Sequence, residues 1–147
     1  MSSALKGIEQ VLNRFARLEA SVDNLEEPTQ SAGEYMLQSI AQNFAAQGRP
    51  KWQGLAASTL AKKKGSKILH ESGALESAAT SPDALNVTGG GFDIAPDCVY
   101  GARHNFGYAG GEGRGSSKTP ARQFLLFQPK DEKAILNIFN RHFRTAR

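Results

Sequence analysis

The residues that could do chemistry in this sequence are few and dispersed. One cysteine, three histidines and a glycine-rich run ending in a lysine are the candidates. Residues 107–119 hold five glycines in thirteen residues, a composition that could cradle phosphate through backbone N–H groups. A P-loop needs glycine directly before its lysine, and here Ser117 precedes Lys118 while Pro120 stands where the phosphate-binding helix would run. The run Gly111-Glu112-Gly113-Arg114-Gly115 also lacks the third spacing and the following helix of a dinucleotide site. Cys98 and His104 could pair as a thiol and its base, but a lone cysteine on a strand is usually a small buried hydrophobe. No G-x-S-x-G elbow presents Ser72 or Ser77 as a nucleophile. His70, His104 and His142 are far apart, and one thiol cannot build a cysteine zinc site. The acidic pairs Glu26-Glu27 and Asp131-Glu132 are explained by helix ends, where the dipole favours them. No catalytic, cofactor-binding or metal-binding residue is assigned. The expectation is a non-enzyme that needs no cofactor.

Charge offers a second kind of chemistry. The chain carries a net charge of +4, distributed unevenly. Residues 1–34 hold three Lys/Arg against six Asp/Glu, and residues 101–147 hold nine against three. The basic C-terminal third could face nucleic acid or an acidic protein partner. Lys62-Lys63-Lys64 with Lys67 could meet phosphates, and Trp52 or Tyr108 could stack on bases. No helix-turn-helix, zinc-finger or RNP pattern supports that use, and a lysine run is more often a solvated helix face.

The elements that must position these groups follow from periodicity. At 147 residues, folding removes roughly 70% of the unfolded chain's surface from water, enough for one domain with one core. Leu5, Ile8, Val11, Leu12, Phe15, Leu18 and Val22 share one helix face, which predicts a first helix ending before Pro28. A second helix is expected from about Thr29–Ser31 to Gly48-Arg49-Pro50, burying Leu37, Ile40, Ala41 and Phe44. Both read as core and scaffold. Short helical pieces follow at Ser58–Lys64 and Gly73–Ala79. The period then drops to two: Leu85 and Val87, then Gly89-Gly90-Gly91, then Phe92 and Ile94 predict a β-hairpin. Cys98–Tyr100 and Phe124–Phe127 read as further strands, and Pro129 opens a last helix with Ile135, Ile138 and Phe139 inward. The fold class is α+β, with N-terminal helices and a C-terminal helix packed on a small antiparallel sheet. No apolar run fits a transmembrane helix, and the N-terminus lacks the layout of a secretory signal. With its single cysteine, the chain reads as folding inside the cell.

Four short segments, in order, resemble the phage virion-morphogenesis and tail-completion family. They are Trp52-Gln53-Gly54-Leu55-Ala56-Ala57-Ser58-Thr59 with Lys62–Lys64, and Ile68-Leu69-His70-Glu71-Ser72-Gly73-Ala74-Leu75. Then come Tyr100-Gly101-Ala102-Arg103-His104-Asn105-Phe106-Gly107 and Pro120-Ala121-Arg122-Gln123-Phe124-Leu125. The chain departs from the family pattern at Gly101, Asn105, Gln123 and Leu126, which bears on local strand geometry.

The resemblance implies a single domain over residues 1–147 with a flexible loop at 107–119, and a structural role in a tailed bacteriophage. That role is completing or terminating the tail and joining it to the head, as a ring of copies against other tail or neck proteins. It implies work in the host cytoplasm during assembly and a place in the virion afterwards, with no membrane. Two alternatives stand beside it: a neck or head-closure factor on the portal side, and a DNA-binding accessory protein using the basic C-terminal third. The candidate assembly-interface residues are Trp52, His104, Phe106, Tyr108, Arg114, Arg122 and Phe124. Arg122 could equally serve an internal ion pair, and Trp52 the core.

Overall fold

Apolar spacing of three and four in the first 45 residues produces two long helices, α1 (Ser2–Asp23) and α2 (Glu26–Ala45). A computed structural model describes residues 2–111 and 117–145, with side chains from residue 7 onward. Short helices α3 (Ala57–Lys62) and α4 (Ala74–Thr80) come next. A two-stranded sheet of β1 (Leu85–Thr88) and β2 (Gly91–Ile94), a short helix α5 (Gly101–Phe106) and the long helix α6 (Pro129–Thr145) complete the order. The fold is α+β, with antiparallel strands and helices at both ends of the chain.

α2 begins earlier than expected, at Glu26, and takes Pro28 into its first turn. Proline is tolerated there because the first N–H groups of a helix have no partner to lose. Glu26 and Glu27 sit at the positive end of the same helix dipole. At its other end, Gly48 donates its N–H to the Asn43 carbonyl at 2.8 Å with φ +99°. A side chain at Gly48 would strike the Pro50 carbonyl and the Trp52 nitrogen, each 2.6 Å from an added Cβ. This reversal returns the chain so that Trp52 lands on the helix it has just left.

The core forms on that reversal. Ile40, Phe44, Trp52, Leu75, Ala79 and Phe124 make one buried cluster. The Phe44 ring meets Trp52 edge-on at 5.6 Å and Phe124 at 5.3 Å, separations at which aromatic pairs add to simple burial. Ile94 of β2 packs against the same cluster. The hairpin pairs Leu85 with Ile94 and Val87 with Phe92 around Gly89-Gly90, as its alternation predicts.

Three expectations are corrected. Cys98–Tyr100 is a turn leading into α5, because the Gly101 N–H bonds back to the Cys98 carbonyl at 3.0 Å and starts a helix. Phe124–Phe127 is not a strand; buried side chains supply the hydrogen bonds that a neighbouring strand would have supplied. And α1 is not core. Ile8, Val11, Leu12, Phe15 and Val22 are 51–63% exposed, although their spacing is that of a buried stripe.

Candidate assembly groove

The fourth motif segment is the hub that gathers the other three. Its Gln123 carbonyl accepts from Trp52 Nε1 at 3.1 Å, tying it to the first segment. Arg122 strengthens that tie, donating from Nε to the Gln53 carbonyl at 3.0 Å and from Nη2 to the Gly54 carbonyl at 3.1 Å. The Arg122 N–H bonds the His104 carbonyl at 2.8 Å, and Asn105 Oδ1 accepts from the N–H groups of Phe124 and Leu125 at 3.1 and 3.0 Å. These join the third segment. The second is held through Gln47, whose side chain accepts from the Ile68 N–H beside the core.

Between them lies an open groove of about 1060 Å3, lined by residues from all four segments. Lys62 and Lys63 of α3 stand on one wall, Leu69–Leu75 on another, Tyr100 and His104 on a third, with Lys118–Pro120 and Arg122 closing it. Lys62, Lys63, Lys118 and Arg122 oppose one carboxylate in the lining, Glu71. The groove is therefore cationic. His104 adds nothing to that charge at neutral pH: burial, and then Arg122 and Arg103, hold its imidazole below the usual value. Its Nδ1 is buried without a hydrogen-bond partner, as is that of His70. Burial also draws the Arg122 guanidinium down from its ordinary value, and two carbonyl oxygens rather than a carboxylate receive its protons.

The base of the glycine loop closes beside this groove. Tyr108 and Thr119 exchange both backbone hydrogen bonds at 2.8 Å. Arg103 spans the closure, donating to Thr119 Oγ1 at 2.9 Å and the Ser117 carbonyl at 2.6 Å while its guanidinium lies 4.7 Å from the Tyr108 ring centre.

The candidate interface residues thus occupy four kinds of place. Trp52 and Phe124 are buried in the core, and their rings present no surface to a partner in this fold. Arg122 is a buried brace under the groove, and His104 forms part of its wall. Phe106, 73% exposed, and Tyr108, half exposed, lie outside it. Arg114 falls outside the described residues. Residue reading missed Asn43 and Asn105, the buried amides that hold the hub, and Lys118 as a wall of the groove. Asn105 stood inside a quoted segment, but nothing local marks an asparagine as buried. Among the described residues no His/Cys/Asp/Glu group could hold a metal ion, and no helix is long and apolar enough to cross a membrane.

An arrangement of this kind binds. A cationic groove braced from beneath suits an extended segment or loop bearing carboxylates, whose charge the lysines meet.

Comparison with known proteins agrees in kind. The sequence model of the phage virion morphogenesis family matches residues 5–144. The chain is 26% identical over 144 residues to the Mu-like prophage FluMu G protein 2 of Haemophilus influenzae, covering 93% of this chain and 96% of that protein. No solved structure matches. With the match running almost end to end, this chain belongs to the phage virion morphogenesis family and has a structural role in building the phage virion.

Proposed function

We propose that this protein completes the phage tail and joins it to the head, acting as a homo-oligomer seated against other tail or neck proteins. The observation that carries the reading is the convergence of four separated motif segments on one cationic groove, in a chain of the virion morphogenesis family. The groove is the contact site for an acidic segment of a neighbouring virion protein. The loop anchored by Tyr108 and Thr119 stands at its edge, where it can order over that segment. On this reading the chain catalyses no reaction and takes no cofactor. It works in the host cytoplasm and remains in the tail or neck of the virion.

Deleting the gene from the phage or prophage that encodes it, and imaging the induced lysate by negative-stain electron microscopy, tests this. Full heads beside unattached tails, with virions restored by the wild-type gene, are the expected outcome. Tails of abnormal length would move the role to tail termination, and tails with unclosed heads to the portal side. Normal infectious virions would overturn the assembly reading.

A further inference from the structure

The overhanging part of α1 has no counterpart in the rest of the molecule. α6 runs antiparallel to α2 and then to the end of α1: Lys130 reaches Gln42, Asp131 receives Tyr35 and Ser39, and His142 Nε2 lies 3.0 Å from the Ser21 carbonyl. Continued in that register, α6 ends near Leu18. Every residue from Gly7 to Arg17 is exposed, so these three turns stand clear of the body.

What they expose is apolar and ordered. Ile8, Leu12 and Phe15 follow the three-four spacing of a helix-pairing seam, with Val11 beside them and Val22 farther along. Together they leave on the order of 500 Å2 of apolar side chain in one stripe, the upper end of what a lone chain shows in one patch. A stripe of that size and spacing is suited to a helix of a partner.

Charge selects the partner. The stripe is flanked by Glu9, Glu19 and Asp23, and residues 1–34 carry three positive against six negative side chains. An anionic lipid surface would repel it. The matching surface is on this same chain: the outer face of α6 places Leu136, 55% exposed, among exposed Lys133, Arg141 and Arg144. An apolar centre with a basic surround complements an apolar stripe with acidic flanks.

We propose that α1 of one copy docks on the outer face of α6 of a second copy, head to tail. The contact is heterologous, so each copy gives one surface and receives on the other, and repetition yields a ring or a filament according to the closing angle. This rests on the assembly reading above, for which it supplies the homotypic contact.

The test is sedimentation velocity of the full chain over a wide concentration range, with two variants. Leu12→Asp with Phe15→Asp removes the α1 surface; Arg141→Glu with Arg144→Glu removes the α6 surface. All four side chains are exposed, so circular dichroism of both variants should match wild type. Wild type should associate reversibly, and each variant alone should lose that association by roughly a hundredfold or more, about tenfold per lost contact. Mixed, the two should form a one-to-one dimer that grows no further, because each retains the surface the other lacks.

A monomeric wild type would overturn the proposal, as would an α1 variant that still associates. Association of the α6 variant alone would also overturn it, by pointing to α1 pairing with α1. If wild type is monomeric but the α1 variant fails to restore virions in the deletion strain, the stripe docks on a different virion protein. The second-copy proposal then falls while the assembly reading stands.

Discussion

Asn43 Nδ2 donates to the Phe124 carbonyl at 2.8 Å, a bond between two fully buried residues 81 positions apart. The same amide's Oδ1 accepts from Arg49 Nε at 2.8 Å, while Asn105 takes the Phe124 N–H. Phe124 can therefore bury its ring in the core and its whole peptide unit with it, because α2 and α5 supply side-chain partners. A buried peptide group without partners is costly, and here two asparagines remove that cost.

Asn43→Ala and Asn105→Ala should each destabilise the fold by about 2–3 kcal/mol, since each leaves buried Phe124 backbone groups unpaired. Urea denaturation measures this. Asn105→Ala should also loosen the groove, because it frees the hub from α5. A loss no larger than that of an exposed alanine substitution would mean the hub is held elsewhere.

Asp131 is fully buried with no cation in ion-pair range among the described residues. Its Oδ1 accepts from Tyr35 Oη at 3.0 Å and Ser39 Oγ at 2.8 Å, and Oδ2 from the Gln128 N–H at 2.9 Å. Burial and then Asp131 raise the Tyr35 phenol above its ordinary value. Asp131→Ala should cost about 3 kcal/mol, because it strands three donors, and Tyr35→Phe about 1 kcal/mol. Combined, they should cost less than the sum, since the lost bond is shared. Additive losses would show that the two side chains do not interact.

His104 makes stability depend on pH. Its folded value lies below the ordinary 6.5, so between the two the unfolded chain binds more protons. Stability should fall as pH drops through about 6.5 and level off below the folded value. In His104→Gln the fall over that window should shrink. Chemical denaturation at a series of pH values reads the slope, and an unchanged slope would assign it to another group.

Gly107 has φ +76°, and a Cβ there would lie 2.8 Å from Ala121 N and 2.9 Å from the Thr119 carbonyl. Gly107→Ala should destabilise by about 2 kcal/mol or more and disturb the Tyr108–Thr119 closure. Removing residues 112–116 keeps that closure, so the variant should melt near wild type yet fail to restore virions in the deletion strain. A large drop in melting temperature would make the loop part of the fold.

The sequence by itself determined the helices, the hairpin and their order, because each is written in a local period. Leu85 and Val87 against Phe92 and Ile94 across paired glycines leave little choice of register. It also carried the four motif segments, and through them the family. Local pattern could not say what each apolar face would meet. The stripes of α1 and α2 read alike, and only packing decided that Phe44 is buried while Phe15 faces water. Nor could it turn Phe124–Leu125 from a strand into a buried hub, since the amides of Asn43 and Asn105 reach it from distant helices. The groove belongs to the tertiary structure for the same reason. Its walls are short polar segments, each unremarkable alone, and its charge exists only where the fold brings Lys62, Lys63, Lys118 and Arg122 to one opening.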